Sequence, residues 1–376
     1  MRELIITNNE TYSTTVINSK HVEDQDLLMS ESTYNASAFV LLLIGFFGFS
    51  LNLTVILLMF RDKHLWTPLN VILFNLVFGD FLVSILGNPW TFISALYHRW
   101  IFGSVMCQIY GFFMAWLGIT SILTLTILAF ERYTMITGPF RKKPLEISTA
   151  VTMIGIAWIL SFVMTVPPLL GWSEYVNEAA NISCSVNWGE RSMGATSYIL
   201  FLFFFGLALP VTIIIYSYLK ILVTVRKKAR NTGKVSRAEC RVSTMALLMI
   251  LAFLFAWSPY ATLALIIQFG NVTEISPSIA VIPSLVAKSS ICYNPIIYIG
   301  LNTQFRYSIY KMFGFSNVSK STSRNENGKV LSLKHRTESP TKGTQISSTS
   351  LQNCHEIIEL KVTTSKVLDG VCSTDL

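Results

Sequence analysis

The sequence predicts an all-α protein, a seven-transmembrane helix bundle with a short amphipathic eighth helix. Three observations carry this. Of 376 residues, 52% are hydrophobic and only 13% charged, against about 25% charge in a soluble domain. The apolar residues fall in seven blocks of about 20 residues or more, the length that crosses a bilayer. Basic residues gather in alternate connections between the blocks, the asymmetry of loops on the cytoplasmic side.

The blocks lie near 38–60, 69–94, 104–136, 149–171, 196–223, 242–268 and 279–300. Each must be a helix, because lipid offers no partner for a bare backbone N–H or C=O. Pro89, Pro167, Pro168, Pro210, Pro259 and Pro295 fall inside them and are expected to kink rather than end them. Residues 1–37 are polar, hold six acids and show no early apolar stretch, so an extracellular segment without a signal peptide is expected. One set of loops holds Arg61, Lys63, Arg141, Lys142, Lys143 and a cluster from Arg226 to Arg241; the opposite side holds Arg2, Lys20, Arg99 and Arg191. The first set is therefore cytoplasmic and the N-terminus outside. The glycosylation sequons at Asn9, Asn35, Asn181 and Asn271 then all face outward, while that at Asn52 lies within a span and is set aside. Residues 303–315 read as an amphipathic helix on the inner leaflet, with Phe305, Ile309, Met312 and Phe313 on one face. Residues 316–376, rich in Ser, Thr, Lys and Asn, read as a disordered cytoplasmic tail.

Composition also excludes function classes. A net charge of +8 could serve nucleic acid, but its placement in alternate loops points to a membrane surface. Six cysteines are too sparse for a disulfide-stapled mini-protein.

Polar residues inside a span are costly and mark function by default. Asn52, Asn75, Asp80 and Asn294 suit a buried network between the first, second and seventh spans, either as interhelical glue or as part of a switch. Glu131-Arg132-Tyr133 closes the third span on its inner side, and Cys107 opens it, roughly 36 Å away at helical rise. Cys107 and Cys184 are the only cysteines on the outer side, where disulfides persist, so a bridge tying the second outer loop to the third span is expected. Lys288 lies roughly 13 Å below the outer surface, too deep to snorkel easily. Two readings stand: an ion pair with Asp80 or an outer-loop acid, or a desolvated amine that attacks an aldehyde.

Glu131-Arg132-Tyr133, Trp257-Ser258-Pro259-Tyr260 and Asn294-Pro295-Ile296-Ile297-Tyr298 together resemble the signature motifs of rhodopsin-like G-protein-coupled receptors. Lys288, six residues before Asn294, stands where opsins carry the retinal-binding lysine. Cys184-Ser185-Val186-Asn187-Trp188 and the run from Val235 to Glu239 resemble ciliary-type opsins, especially parapinopsin-like and encephalopsin-like non-visual pigments. The resemblance covers about residues 35–315 and implies a light-sensing receptor, not an enzyme. It implies 11-cis-retinal held as a Schiff base on Lys288, in a pocket walled by Gly118, Trp188, Phe253, Trp257, Tyr260 and Ser284. It implies that isomerisation acts through Trp257, swings the sixth helix about Pro259 and releases Glu131-Arg132, with Asn294, Pro295 and Tyr298 in the same switch. Asn302-Thr303-Gln304 resembles the tripeptide of transducin-coupled opsins, which with the basic third inner loop implies an inhibitory/transducin-class G protein. Ser347, Ser348, Thr349 and Ser350 would recruit a receptor kinase and arrestin, and Thr374-Asp375-Leu376 resembles a PDZ-domain ligand.

The chain departs from the visual opsins where many carry a glutamate counterion, three residues after Cys107. Here the residue is Tyr110, neutral at pH 7 with a reference pKa near 10. The remaining outer acids are Glu174, Glu178 and Glu190. Glu178, six residues before Cys184, resembles the second-loop counterion of opsins lacking the third-helix acid. That resemblance implies a bistable pigment. Ala256 also replaces the usual Cys before Trp257, and no Cys follows the amphipathic helix to anchor a palmitoyl chain. The alternative reading is a retinal photoisomerase of the same fold without signalling; the intact Glu131-Arg132-Tyr133 and Asn294-to-Tyr298 motifs disfavour it. A light-driven pump would need a relay of intramembrane acids, and the spans offer only Asp80 and Glu131.

Overall fold

The structure is a computed structural model that describes residues 27–138, 145–232, 237–270 and 275–312. The glycosylation sequons at Asn9 and Asn271, the tail from residue 316, its serine–threonine cluster and the C-terminal Thr374-Asp375-Leu376 lie outside the described residues. Seven helices are long and apolar enough to cross a membrane: Glu31–Arg61, Pro68–Leu96, Gly103–Thr137, Ile147–Thr165, Met193–Lys228, Glu239–Phe269 and Pro277–Leu301. The third is the axis of the bundle and packs against the second, fourth, fifth and sixth. A shorter helix, Thr303–Met312, follows the seventh span.

The first helix starts at Glu31 rather than at residue 38 because Ser30 caps it, its Oγ accepting from Thr33 N at 3.3 Å. Asn35 is exposed within this helix. The second span is two helices, Pro68–Leu86 and Asn88–Leu96, separated at Gly87. Pro89 has no N–H for the ladder, and the interruption lets Asn88 donate across to Leu41 O of the first span at 2.8 Å. The fourth helix stops at Thr165, short of residue 171. Pro167 and Pro168 force a 3-10 turn over Pro167–Leu170 instead. In the fifth span a π-turn, Phe204–Ala208, widens the helix where Gly206 faces Ile119. The seventh span carries Pro283 as well as Pro295, and a 3-10 turn over Ser290–Cys292 breaks it just after Lys288.

Outside the bundle, two short strands, β1 (Tyr175–Asn177) and β2 (Cys184–Val186), form an antiparallel hairpin. Val176 pairs with Ser185, and Asn177 with Cys184. The Cys107–Cys184 disulfide expected from the sequence is present and pins β2 to the top of the third span. Gly111 lets the hairpin lie close: a Cβ there would fall 2.7 Å from the Tyr175 ring. Tyr175 Oη donates to Thr165 O at 2.7 Å. The hairpin tip is anchored too, because Ala180 and Ile182 are buried with Met29, Tyr34, Leu41, Ala95 and Val281.

The intramembrane polar residues divide differently from the single network expected. Asn294 Nδ2 donates to Asp80 Oδ2 at 2.8 Å, and Asn52 Nδ2 to Ile291 O at 2.9 Å, which joins the first, second and seventh spans. Asn75 is not part of this group. It donates to Thr124 Oγ1 at 2.9 Å and accepts from Trp158 Nε1 at 2.8 Å, so it serves the third and fourth spans. Asn75 and Asp80 do not share a face: five residues rotate a helix by about 500°, or 140° net.

The bridge between residues 107 and 184 closes a long loop, so Cys184→Ser should lower the stability of the apoprotein by roughly 2–4 kcal/mol. Thermal melts of the purified protein in detergent, with and without reductant, check this: the wild type should lose stability on reduction and the variant should not.

Candidate functional site

Between the third, fifth, sixth and seventh spans lies a cavity of about 390 Å³, roofed by the hairpin. This is within the range of roughly 300–1,000 Å³ for small-molecule sites. Gly118, Trp188, Phe253, Trp257, Tyr260, Ser284, Lys288 and Glu178 all line it.

Its floor is aromatic. Phe253 and Trp257 stack at 5.7 Å, and Tyr260 meets Trp257 edge-on at 6.1 Å. The spacing of 253, 257 and 260 places one ring per helical turn on the same face of the sixth span. Gly118 faces the Trp257 indole, which would stand 3.2 Å from a Cβ there. Trp257 Nε1 donates to Ser290 Oγ at 3.2 Å, linking the floor to the turn in the seventh span.

One end is polar. Lys288 Nζ donates to Ser284 Oγ at 2.7 Å, one turn earlier on its own helix. Ser284 Oγ donates to Glu178 Oε2 at 3.0 Å. Ammonium and carboxylate are thus joined through a hydroxyl. Tyr260 Oη donates to Glu178 Oε1 at 2.8 Å and accepts from Trp188 Nε1 at 3.1 Å. Ser183 Oγ donates to Glu178 Oε2 as well. Tyr110 stands beside the Lys288 amine, with its hydroxyl paired to Thr91 Oγ1 at 2.7 Å.

The other acids are engaged elsewhere. Glu174 accepts from Asn187 at 2.8 Å and Glu190 from Ser192 at 2.6 Å, both on the exposed outer surface. Asp80 lines the deep end of the cavity but accepts from Asn294. Of the anions weighed from sequence, Glu178 is the one hydrogen-bonded toward Lys288.

Sequence reasoning missed Ser183 and Ser290 as neighbours of the site. Ser183 precedes Cys184, so the strand register that follows from the disulfide puts it at the turn beside Glu178. Ser290 is two residues past Lys288, where ideal helical periodicity would send it away, and only the 3-10 turn brings it under Trp257.

At the inner end of the third span, Glu131 and Arg132 are buried and form a salt bridge. Tyr133 packs edge-on against Tyr216 at 5.7 Å. Tyr298 is fully buried, packs at a tilt against Phe305 with ring centroids 4.2 Å apart and donates to Asn70 Oδ1 at 3.1 Å. Phe305, read from sequence as lipid-facing, is instead packed inside the bundle.

Burial pushes the Glu178 carboxyl up, but the Lys288 ammonium and the hydroxyls of Ser183, Tyr260 and Ser284 outweigh it and hold the group below the usual carboxylate range. A group whose folded pKa is depressed contributes stability that is full above its unfolded pKa, near 4.5, and lost as pH falls through the folded value. The apoprotein should therefore melt lower on acidification below about pH 4.5, and Glu178→Gln should shrink that dependence. Thermal melts of both proteins from pH 7 to pH 3 measure the difference; parallel curves would mean Glu178 is not held ionised.

The chain matches the family described as 7 transmembrane receptor (rhodopsin family) over residues 51–298. It is 36% identical to pinopsin of Columba livia over 73% of this chain and 79% of pinopsin. It is 34% identical to parapinopsin of Ictalurus punctatus over 75% of this chain and 82% of parapinopsin. Its fold is similar to the crystal structure of squid rhodopsin, with a TM-score of 0.71 and 30% identity over 76% of this chain and 87% of the squid protein. The seven spans, the motifs at Glu131 and Asn294 and these likenesses agree: the chain belongs to the opsins within the rhodopsin family of seven-transmembrane receptors, multi-pass light-sensing proteins that use a retinal chromophore and act on heterotrimeric G proteins.

Proposed function

We propose that this chain is a bistable, non-visual light receptor that holds 11-cis-retinal as a Schiff base on Lys288, with Glu178 as counterion, and signals through an inhibitory/transducin-class G protein. The observation that carries the reading is the hydrogen-bonded line from Lys288 through Ser284 to Glu178, at one end of an aromatic-walled cavity.

The residues suit the group. Retinal supplies an elongated polyene whose shape changes with light and whose nitrogen linkage is cationic when protonated. The cavity is apolar along its length, with one amine at its polar end. Gly118 leaves the space beside Trp257 that a side chain would narrow. Glu178 is held below the usual carboxylate range and directed at Lys288 through Ser284, whereas Tyr110 pairs its hydroxyl with Thr91. Because Glu178 is carried by the disulfide-pinned hairpin and not by a spanning helix, helix movement leaves it beside Lys288. The cation then keeps its partner in dark and light forms, and a second photon can return the pigment.

Trp257 couples the cavity to the switch. Displacing its indole breaks the bond to Ser290 and loosens the seventh span above Asn294 and Tyr298. Pro259 lacks the N–H that would stiffen the sixth helix beside it. Release of the Glu131–Arg132 bridge at the inner face then frees Arg132 for the G protein, to which the basic residues from Arg226 to Arg241 add positive charge. The N-terminus is extracellular, with Asn9 and the exposed Asn35 as glycosylation sites. The tail, through Ser347 to Ser350, takes phosphate and arrestin, and its Thr374-Asp375-Leu376 end suits a PDZ domain.

Lys288→Ala should reach the membrane and form no pigment with added 11-cis-retinal; a normal absorption band would end the opsin assignment of this residue. Glu178→Gln should shift dark absorption toward the ultraviolet at neutral pH in chloride-free buffer, and retention of the visible band there would remove Glu178 as counterion. Light-dependent GTP loading of purified inhibitory-class, stimulatory-class and phospholipase-coupled G proteins tests the partner. Loading of the inhibitory class first is expected, and none with any class would favour a non-signalling protein.

A further inference from the structure

Glu178 takes one of its hydroxyl donors from the sixth helix, the helix that the receptor function sets in motion. Tyr260 Oη donates to Glu178 Oε1 at 2.8 Å. The direction of that bond is forced. The Trp188 indole N–H can only donate, and it donates to Tyr260 Oη at 3.1 Å, so the phenol proton is left for the carboxylate. Tyr260 is the first residue past Pro259. Pro259 brings no N–H to Phe255 O, and the Ser258 hydroxyl takes up that carbonyl instead, at 3.3 Å. The weak point of this helix, Arg237–Phe269, therefore lies directly on the inner side of Tyr260. Were the whole helix to tilt, Glu178 would lose a donor whenever the receptor switched on.

The outer part of the helix is tied down. Residues 260, 264, 267 and 268 share a face at helical spacing, and the stretch from Trp188 to Arg191 is bonded to that face. Gln268 is 4% exposed. Its amide nitrogen donates to Trp188 O at 2.8 Å and to Glu190 O at 3.2 Å, and its oxygen accepts from Thr196 Oγ1 at 2.9 Å. The opposite amide orientation would set an oxygen against two carbonyls, which have no proton to give. Arg191 Nη2 donates to Gly270 O at 2.7 Å and to Ile267 O at 3.4 Å, carbonyls of the kind that a helix end leaves without a partner. A cation there also meets the negative end of the helix dipole. The stretch is itself fixed: Cys184 is bridged to Cys107, and Asn187 N donates to Glu174 O at 2.9 Å, just past the last strand pair. Neither Gln268 nor Arg191 lines the cavity.

We propose that Gln268 and Arg191 are positioning residues for the counterion: they hold the outer half of the sixth helix to the disulfide-pinned loop, so that light moves the helix on the inner side of Pro259 and Tyr260 keeps its bond to Glu178 in the light form. This rests on the assignment of Lys288 and Glu178 above. Glu178 stays beside Lys288 because its hairpin does not travel with the helices, but it stays ionised only while its donors stay with it. A carboxylate deprived of one charge-assisted bond binds a proton about tenfold more tightly. The proton it takes comes from the retinal linkage nitrogen, which becomes neutral as Glu178 becomes neutral; no proton enters or leaves the site.

Gln268→Leu and Arg191→Ala are each reconstituted with 11-cis-retinal. The dark band should match the wild type, because the resting fold keeps Tyr260 on Glu178 and neither side chain reaches the cavity. After a flash at neutral pH, the ratio of near-ultraviolet to visible photoproduct should rise about tenfold in Gln268→Leu. It should rise by less in Arg191→Ala, whose contacts are open to water, and in both a second photon should recover less of the dark form. Tyr260→Phe should show the rise by itself, and Gln268→Leu placed on it should add nothing. In the apoprotein, hydrogen–deuterium exchange of a peptide covering 260–270 should be faster in both variants than in the wild type, with 242–256 unchanged. A photoproduct ratio at the wild-type level in either variant, or a full further rise when Gln268→Leu is placed on Tyr260→Phe, would overturn the proposal. Should Gln268→Leu form no pigment, Arg191→Ala decides by the same ratio. Should the wild-type photoproduct itself lie in the near ultraviolet, the bistable reading fails on its own. The tie is then judged by exchange in the wild type: it stands if light speeds exchange of 242–256 and leaves 260–270 unchanged, and falls on any other pattern.

Discussion

An ammonium group inside an apolar bundle has to be met by an anion or give up its charge, and the outer half of this protein is arranged around that requirement. Lys288 lies too deep to reach water along its own stem, and desolvating an unpaired charge costs several kcal/mol or more. No spanning helix brings a carboxylate to it: Asp80 is committed to Asn294, and the third span offers Tyr110 in the nearby position. The anion comes from outside the bundle, on a loop. That loop must then be held as firmly as a helix.

Several independent restraints hold it. The Cys107–Cys184 bridge sets the register of the hairpin over the third span, and Gly111 allows the close approach. Tyr175 hydrogen-bonds to the last carbonyl of the fourth helix, and the hairpin tip is buried among the first, second and seventh spans. Glu178 itself takes three hydroxyl donors, from Ser183, Tyr260 and Ser284. Such a carboxylate is preorganised: its charge is solvated by fixed dipoles and does not depend on water entering the cavity.

The inner half solves a different problem, that of a surface kept closed but releasable. Its contacts are side-chain hydrogen bonds and one buried ion pair, each worth little alone and linked through shared residues. Tyr298 belongs at once to the tilted ring pair with Phe305 and to the Asn70 amide. Trp257 belongs to the cavity floor and, through Ser290, to the seventh span. The two halves are connected by the 3-10 turn at Ser290–Cys292, where the helical ladder is weakest and where Asn52 supplies a side-chain donor to the freed Ile291 carbonyl.

What the sequence by itself determined was everything that follows from cost in lipid. Seven apolar blocks had to be helices, because nothing else satisfies the backbone there. Lys288 and the Glu131-Arg132 pair stood out because charge in such blocks is expensive, and Cys107 and Cys184 because they were the two outer cysteines. Helix interruptions were only partly legible: the prolines at 89, 167 and 168 were expected to kink their spans, and they mark breaks instead. The π-turn at Phe204–Ala208 leaves no compositional trace, since it inserts no special residue. Tertiary structure decided which polar groups meet. Asn75 and Asp80 lie on one helix yet serve different neighbours, because net rotation over five residues turns them apart. Glu178 was singled out from three outer acids by its distance from Cys184, and the disulfide and the strand register supply the geometry that aims it at Lys288. Phe305 was an amphipathic-face residue until Tyr298 offered it a buried ring. Gln268 drew no notice as one more polar residue near a helix end, and its role follows from partners that only the folded bundle brings to it. Periodicity and composition report the cost of placing a group in lipid or in water; the partner that relieves the cost comes from another element, and its position is a property of the packed bundle.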